Sequence, residues 1–150
     1  MTDDVRTALV IPVPEAGGLV ADAHIALLDP FLADTQIDDG VLAELRELFG
    51  EVVPFPFVLG ETARFPSGSA YLPPQPVAVF RRIIHQLRRT FPELVGPAAT
   101  LDAFVPHLPV PDGTVVRHPI EAHARETQLR LLGPDGMRVV ATFRFGTSAA

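Results

Sequence analysis

The apolar positions along this chain fall mostly in short runs that turn-forming residues separate. Two runs near the start, residues 7–13 and 23–28, are rich in residues that favour strands. The first leads into a segment with a proline and two glycines, and Pro30 follows the second. Short apolar runs bounded in this way are typical of β-strands. We expect extended structure in three later segments as well: residues 55–65, 70–72 and 104–110.

Two longer segments repeat their apolar positions at helical spacing. In residues 38–49, Asp38 or Asp39 can cap a helix, and Gly50 can end it. The second helix, residues 76–91, begins with a proline. Its apolar residues share one face, which predicts a helix packed against a core. The other face carries Arg81, Arg82, His85, Arg88 and Arg89.

A β-hairpin is the clearest feature of the C-terminal region. Residues 126–132 and 137–145 are β-rich runs on either side of the turn 133–136, which contains two glycines. The predicted order is strand, strand, helix, strand, strand, helix and then three strands. Helices that separate groups of antiparallel-type strands indicate an α+β fold. With 150 residues and no visible internal repeat, we expect one domain over residues 1–150.

Composition narrows the class of protein. With 47% hydrophobic and 20% charged residues, the chain has the composition of a soluble globular protein. It contains no cysteine, which excludes disulfides and thiolate metal sites. The acidic start lacks the basic region of a secretory signal, and no apolar run is long enough to span a bilayer. We therefore expect a cytoplasmic protein with no membrane partner.

Charge is distributed unevenly between the two halves. Residues 1–60 carry eleven acidic residues and two arginines, whereas residues 61–150 carry seven acidic residues and ten arginines. The net charge is −6, and an acidic protein repels a phosphate backbone. The charge pattern therefore disfavours long RNA or DNA as a partner. A basic patch in the second half can still hold one small anion.

Two histidines, His24 and His107, each lie in a predicted strand. Alternate residues of a strand share one face. Ala26 and Leu28 therefore accompany His24, and by the same spacing Pro109 accompanies His107. An imidazole titrates near neutral pH, so one histidine can accept a proton while the other donates one. On spacing alone, two structural histidines are the commoner alternative.

The stretches around these histidines resemble the motifs of a known family. Residues 23–31, with His24, are similar to the first motif of the 2'-5' RNA ligase-like branch of the 2H phosphoesterases. Residues 105–110, with His107, are similar to the second motif. The opening strand, the middle strands, the second helix and the closing hairpin also resemble this family. The similarity covers nearly the whole chain.

The resemblance implies a bilobal α+β fold with pseudo-twofold symmetry, in which two antiparallel sheets flank a central cleft and the helices lie outside. It implies cleavage or ligation of phosphodiesters and cyclic phosphates, with one histidine as base and the other as acid. Neither a metal nor another cofactor is expected. A small molecule would bind in the cleft, and the expected ligand-binding residues are Ala26, Leu28, Pro109, Arg64, Phe65 and Tyr71.

The sequence departs from the family pattern beside both histidines. Ala26 and Pro109 stand where the family has hydroxyl side chains that hold the phosphoryl oxygens. A hydrogen bond to a charged group is worth about 1.5–3 kcal/mol, so two losses total roughly 3–6 kcal/mol. Asp29 also replaces an aromatic residue, and in a regular strand it faces away from His24.

The sequence keeps both motif histidines and lacks both motif hydroxyls. Three hypotheses follow. In the first, the cleft is adapted to a small molecule other than RNA, and the histidines perform acid–base chemistry. In the second, the protein is a slow, metal-independent cyclic phosphodiesterase or 2'-5' RNA ligase-like enzyme, with Arg64 or backbone amides replacing the hydroxyls. In the third, it is a binding module without catalysis. We favour them in this order.

The other histidines carry weaker signals. His85 lies among arginines, as is typical of a solvated helix face. His118 and His123 lie near two glutamates, but their spacing fits neither a helical ligand pair nor one face of a strand. We therefore predict no metal site, and the sequence leaves the oligomeric state open.

Overall fold

The computed structural model describes residues 5–92 and 106–147. Within these residues the chain forms two α-helices, α1 (Asp39–Gly50) and α2 (Val77–Thr90), together with two short 3-10 turns, Pro14–Ala16 and Asp34–Gln36. The same residues form ten strands: β1 (Arg6–Pro12), β2 (His24–Leu28), β3 (Phe55–Leu59), β4 (Ala63–Arg64), β5 (Ala70–Leu72), β6 (Pro74–Gln75), β7 (Leu108–Pro109), β8 (Ile120–Ala124), β9 (Glu126–Gly133) and β10 (Gly136–Arg144).

The first lobe is a four-stranded antiparallel sheet covered on one face by α1. Its strand order is β10-β9-β1-β2, so that β2 is an outer strand. Asp38 caps the start of this helix, and its side chain accepts a hydrogen bond of 2.9 Å from the Val41 amide. Leu45 and Phe49 of this helix are buried against the core face of the sheet, which includes Leu129 and Phe143. The opposite face of the sheet is not covered by α1.

The second lobe contains α2 and two three-stranded antiparallel sheets, ordered β6-β3-β8 and β4-β5-β7. Only three residues separate β3 from β4, and only Pro73 separates β5 from β6. Because β6 pairs with β3 and β5 pairs with β4, the two small sheets follow one another along one β-hairpin. In the second of them β7 is an outer strand, just as β2 is in the first lobe. This arrangement agrees with the expected pair of antiparallel sheets.

A series of aromatic contacts joins the two lobes. Phe49 on α1 stacks against Phe145, with ring centroids 5.9 Å apart. Phe145 in turn stacks on Phe55 of β3 at 6.3 Å, and Phe55 meets Phe80 of α2 edge-on at 5.2 Å. Rings in such geometry add attraction to the apolar area that they bury. The lobes therefore share one continuous hydrophobic core.

The α+β prediction is confirmed, and most predicted elements lie within two residues of the observed ones. The prediction missed β6 and β8, and it extended one strand through residues 60–62, where the chain breaks between β3 and β4. The strand predicted over residues 104–110 is confined to β7, while residues 104 and 105 lie outside the described residues. In the described residues, no helix is both long and apolar enough to cross a membrane.

Candidate active site

His24 is the first residue of β2 and is half-buried. Its Nδ1 atom lies 2.8 Å from the backbone oxygen of Asp22. The Asp22 backbone has a positive φ of 53°, a conformation that aspartate tolerates better than most residues. This tight turn brings the carbonyl of residue 22 back toward the ring of residue 24 and fixes one side of the imidazole.

An ion pair supports the same turn from β9. Arg130 is buried, with 5% of its surface exposed, and it binds the Asp22 carboxylate through both terminal nitrogens at 2.9 and 3.0 Å. Its Nε atom donates to the side-chain oxygen of Gln128 at 3.0 Å. A two-pronged bond between a guanidinium and a carboxylate is both strong and geometrically selective. Arg130 therefore holds the turn that orients His24.

These contacts select one tautomer of neutral His24. A carbonyl oxygen only accepts hydrogen bonds, so the contact with Asp22 requires a proton on Nδ1. Arg130 Nη1 also lies 3.4 Å from Nδ1, a longer contact than the 2.8 Å to the Asp22 oxygen. The shorter carbonyl contact therefore takes precedence. The neutral ring then carries its lone pair on Nε2, which can accept a proton.

His107 immediately precedes β7 and lies in a group of rings. The Phe65 ring meets it edge-on with centroids 4.8 Å apart, and the Tyr71 ring does so at 5.7 Å. Phe65 and Tyr71 stack on each other at 4.1 Å. All three side chains are half-buried, so part of each remains accessible. The structure therefore brings together three of the residues expected in the cleft.

The two histidine segments adjoin because β2 and β7 are outer strands that lie next to each other, with Cα atoms within 8 Å. Ala26 is half-buried, and it pairs with Val10 just as His24 pairs with Pro12. His24 and Ala26 thus occupy one face of the sheet. On the other strand, Pro109 is exposed and pairs with Tyr71.

The proline is compatible with β7 because of its position in the sheet. The amide of the next residue, Val110, donates to Ala70 of β5 at 3.2 Å. Neighbouring amides of a strand point to opposite sides. The nitrogen of Pro109 is therefore directed away from β5, so its lack of a proton leaves no acceptor on β5 unpaired.

The structure places two expected ligand residues elsewhere. Arg64 is exposed, and its Nη1 donates to the Gly68 oxygen at 2.8 Å and to the Asp112 carboxylate at 3.1 Å. Leu28 is 6% exposed and belongs to the hydrophobic core. The pairing of β1 with β2 skips a residue between Ala26 and Leu28, so regular alternation does not extend from His24 to Leu28.

Asp29, which follows β2, forms an ion pair with Arg6. Arg6 Nε donates to its carboxylate at 2.7 Å, and this hydrogen bond, together with the attraction between the two charges, raises the pKa of Arg6 above its ordinary value. Among the described residues, no group of three or more histidine, aspartate or glutamate side chains is placed to hold a metal ion.

Sequence reasoning missed Asp22, Gln128 and Arg130. The contact between Asp22 and Arg130 spans 108 positions of the chain, so no local pattern predicts it. The one available signal is that Arg130 interrupts an otherwise apolar stretch of a strand, from Leu129 to Leu132. A charged residue at a buried strand position requires a partner.

Replacing Asp22 by asparagine is expected to lower the free energy of unfolding by about 1–3 kcal/mol, because buried Arg130 loses its counter-charge. Asparagine also tolerates a positive φ, so the backbone turn is retained. Denaturant unfolding measures the loss. The matched control is Asp112→Asn, since Asp112 pairs with exposed Arg64 and is itself 77% exposed; there the loss should stay below about 1 kcal/mol. Equal losses in both variants would contradict a special role for the pair that Asp22 forms with buried Arg130.

The sequence profile of the 2'-5' RNA ligase superfamily matches residues 16–130, which include both histidine segments. A comparison with curated proteins finds no match.

Solved structures show the same fold. TT0787 of Thermus thermophilus is 21% identical, with a TM-score of 0.69 over 95% of this chain and 99% of that chain. E. coli LigT in apo form is 16% identical, with a TM-score of 0.63 over 96% and 99% of the two chains. E. coli LigT complexed with 3'-AMP is 18% identical, with a TM-score of 0.56 over 94% and 98%. The family profile matches more than half of the chain, and the fold agrees with it. The chain therefore belongs to the 2'-5' RNA ligase superfamily of 2H phosphoesterases.

Proposed function

We propose that this protein is an acid–base enzyme that uses His24 and His107 on a small polar molecule other than RNA. The observation that carries this proposal is the orientation of His24 on an outer strand that adjoins the strand following His107. Orientation is what acid–base catalysis requires, since a proton moves only between groups within hydrogen-bond reach. The ion pair between buried Arg130 and Asp22 supplies this orientation from the protein side.

In the proposed reaction, His24 acts as the base. With a proton on Nδ1 held by the Asp22 carbonyl, neutral His24 accepts a proton at Nε2 from the attacking hydroxyl or water. His107 then acts as the acid and donates a proton to the departing oxygen. The stacked rings of Phe65 and Tyr71 beside His107 provide an apolar surface for the flat part of a substrate. No step requires a metal.

The proposed substrate is small because the chain is acidic. A net charge of −6 opposes the approach of a polyanion such as RNA. The absence of hydroxyls at Ala26 and Pro109 removes the side-chain donors that hold phosphoryl oxygens in the family. Both features favour a substrate that differs from the family's.

A second candidate function is a slow cyclic phosphodiesterase. Family membership supports it, and LigT has been crystallised with 3'-AMP and with phosphate. In this case the phosphoryl oxygens lack two side-chain hydrogen bonds, and the cost of roughly 3–6 kcal/mol corresponds to a rate about a hundredfold to ten-thousandfold lower.

The test combines native mass spectrometry of the purified protein, which detects a bound metabolite, with turnover assays. The assays use that metabolite, 2',3'-cyclic AMP and small phosphodiesters. We expect His24→Ala and His107→Ala each to lower turnover of one and the same compound at least about a hundredfold. His85→Ala, on the exposed face of α2, is the matched control and should leave turnover unchanged.

The outcomes separate the hypotheses. If both histidine variants lose turnover of the metabolite, the first proposal is supported. If they lose turnover of 2',3'-cyclic AMP, the phosphodiesterase is supported. A metabolite that stays bound to both histidine variants and is never converted identifies a binding module and contradicts both proposals. Turnover that survives either histidine substitution contradicts the acid–base pair.

A further inference from the structure

A cavity of about 420 Å³ opens where β1 ends and β9 begins. None of the site residues expected from the sequence lines it. Its polar walls come from the turn before β2 and from the junction of β8 and β9, and they include Asp22, His123, Arg125, Glu126 and Gln128. A volume in this range accommodates a small ligand or one part of a larger one.

The cavity lies on the face of the first sheet that carries His24. Gln128 and Ala26 both pair with Val10, one from each side, so their side chains share a face. Pro12, another lining residue, pairs with His24 itself. Pro12 and Ala23 bring one side of the cavity next to His24, and its far wall at Gln128 lies two strand spacings from β2, about 10 Å. One small molecule can therefore reach both places.

The lining offers several hydrogen-bond donors. Arg125 is exposed and forms no ion pair within the described portion of the chain. The side-chain oxygen of Gln128 receives a hydrogen bond from Arg130, which leaves its amide nitrogen to donate elsewhere. His123 adds an imidazole. These groups together suit an anionic oxygen.

The acidic groups of the lining are not equivalent. The carboxylate of Asp22 is neutralised by both terminal nitrogens of Arg130. Glu126 forms no ion pair among the described residues, so its carboxylate can accept hydrogen bonds from a ligand. A single free carboxylate next to several donors matches a ligand whose anionic group stands beside hydroxyls.

We propose that this cavity binds an anionic group flanked by hydroxyls, as in a sugar phosphate or a sugar acid. Arg125 and Gln128 hold the anionic oxygens, and Glu126 accepts from a hydroxyl. The inference extends the proposed function, since the cavity is a second holding point for a substrate whose reacting bond lies at the histidines.

The test is a titration of the whole ¹⁵N-labelled chain, followed through the backbone amides of Gly17, Glu126 and Gln128. Ribose 5-phosphate represents the phosphate source, gluconate the carboxylate source, and ribose the uncharged control. We expect the amide signals to shift with at least one of the two anions and not with ribose. The anion that binds more tightly identifies the source.

Variants connect the signal to the proposed contacts. Arg125→Gln should weaken binding about tenfold or more, because a charged hydrogen bond is lost. The matched control Arg138→Gln removes another exposed arginine, on β10, and should not change the affinity. Binding should persist in His24→Ala, since the cavity does not include that ring.

The proposal is overturned if the cavity amides do not shift, if ribose shifts them equally, or if Arg125→Gln binds as tightly as the unaltered chain. If only amide signals near His24 and His107 shift, the cavity proposal is overturned and the proposed function is not affected. Binding in the cavity of a chain without histidine-dependent turnover supports the cavity and contradicts the proposed function.

Discussion

The double substitution Ala26→Thr and Pro109→Thr is expected to raise cleavage of 2',3'-cyclic AMP about a hundredfold to ten-thousandfold. Each threonine restores one side-chain donor beside a histidine, and a hydrogen bond to a charged oxygen contributes about 1.5–3 kcal/mol. Each 1.36 kcal/mol of added transition-state stabilisation raises the rate about tenfold. The change is measured as kcat/KM for the unaltered and the substituted chain under the same conditions.

The fold is compatible with both substitutions. Threonine favours extended backbone, and position 26 is only half-buried, on the face that carries His24. At position 109 the new residue also gains a backbone N–H, which the proline ring lacks. Because that nitrogen points away from β5, the added proton does not disturb the pairing of β7 with β5.

Controls identify the origin of any gain. Each single threonine should contribute about a tenfold to hundredfold increase, although the two effects need not add fully. Adding His24→Ala to the double variant should abolish the gain. If the folded double variant cleaves 2',3'-cyclic AMP no faster than the unaltered chain, the phosphodiesterase is abandoned as a candidate function.

Replacing Phe49 by alanine is expected to lower the free energy of unfolding by about 3–5 kcal/mol, as for other large-to-small changes in a core. Phe49 is fully buried, and its ring stacks against Phe143 at 5.8 Å and Phe145 at 5.9 Å. The loss is measured by denaturant unfolding. Val53→Ala, at a position 76% exposed, is the control and should change stability by less than about 0.5 kcal/mol.

The same experiment tests whether the chain is one domain. Tyr71 is the single tyrosine and the chain has no tryptophan, so tyrosine fluorescence reports on the second lobe. Phe49 belongs to the first lobe. If the aromatic series couples the lobes, Phe49→Ala shifts the fluorescence midpoint as far as the circular dichroism midpoint. A fluorescence midpoint that stays fixed would show that the lobes unfold separately.

Local pattern accounts for most of the secondary structure. The helix that starts at Asp38 was predictable because its cap and its apolar spacing are both local features. The C-terminal hairpin was predictable for the same reason. Strand β8 was missed because its buried positions include Ala122 and Ala124, whose small side chains give a weak strand signal.

In the candidate site, too, some residues could be assigned from the sequence and others could not. His24 and His107 were assigned to the site through family motifs, and in the structure β2 lies next to β7, the strand that follows His107. Leu28 was assigned to the cleft by strict alternation, which an irregular pairing with β1 interrupts. Arg64 was assigned by resemblance, but it contacts Asp112, a partner 48 positions away. Asp22 and Arg130 depend on tertiary contact alone, and sequence spacing carries no information on such pairs.

The outward-facing nitrogen of Pro109 has a consequence for how this site changes over time. The residue at this position donates no backbone hydrogen bond to β5, because the next amide, that of Val110, does so. In the proposed site, a substitution at position 109 changes a group near His107 and removes no backbone donor from the pairing of β7 with β5. At such a position the proposed activity and the stability of the fold can change separately.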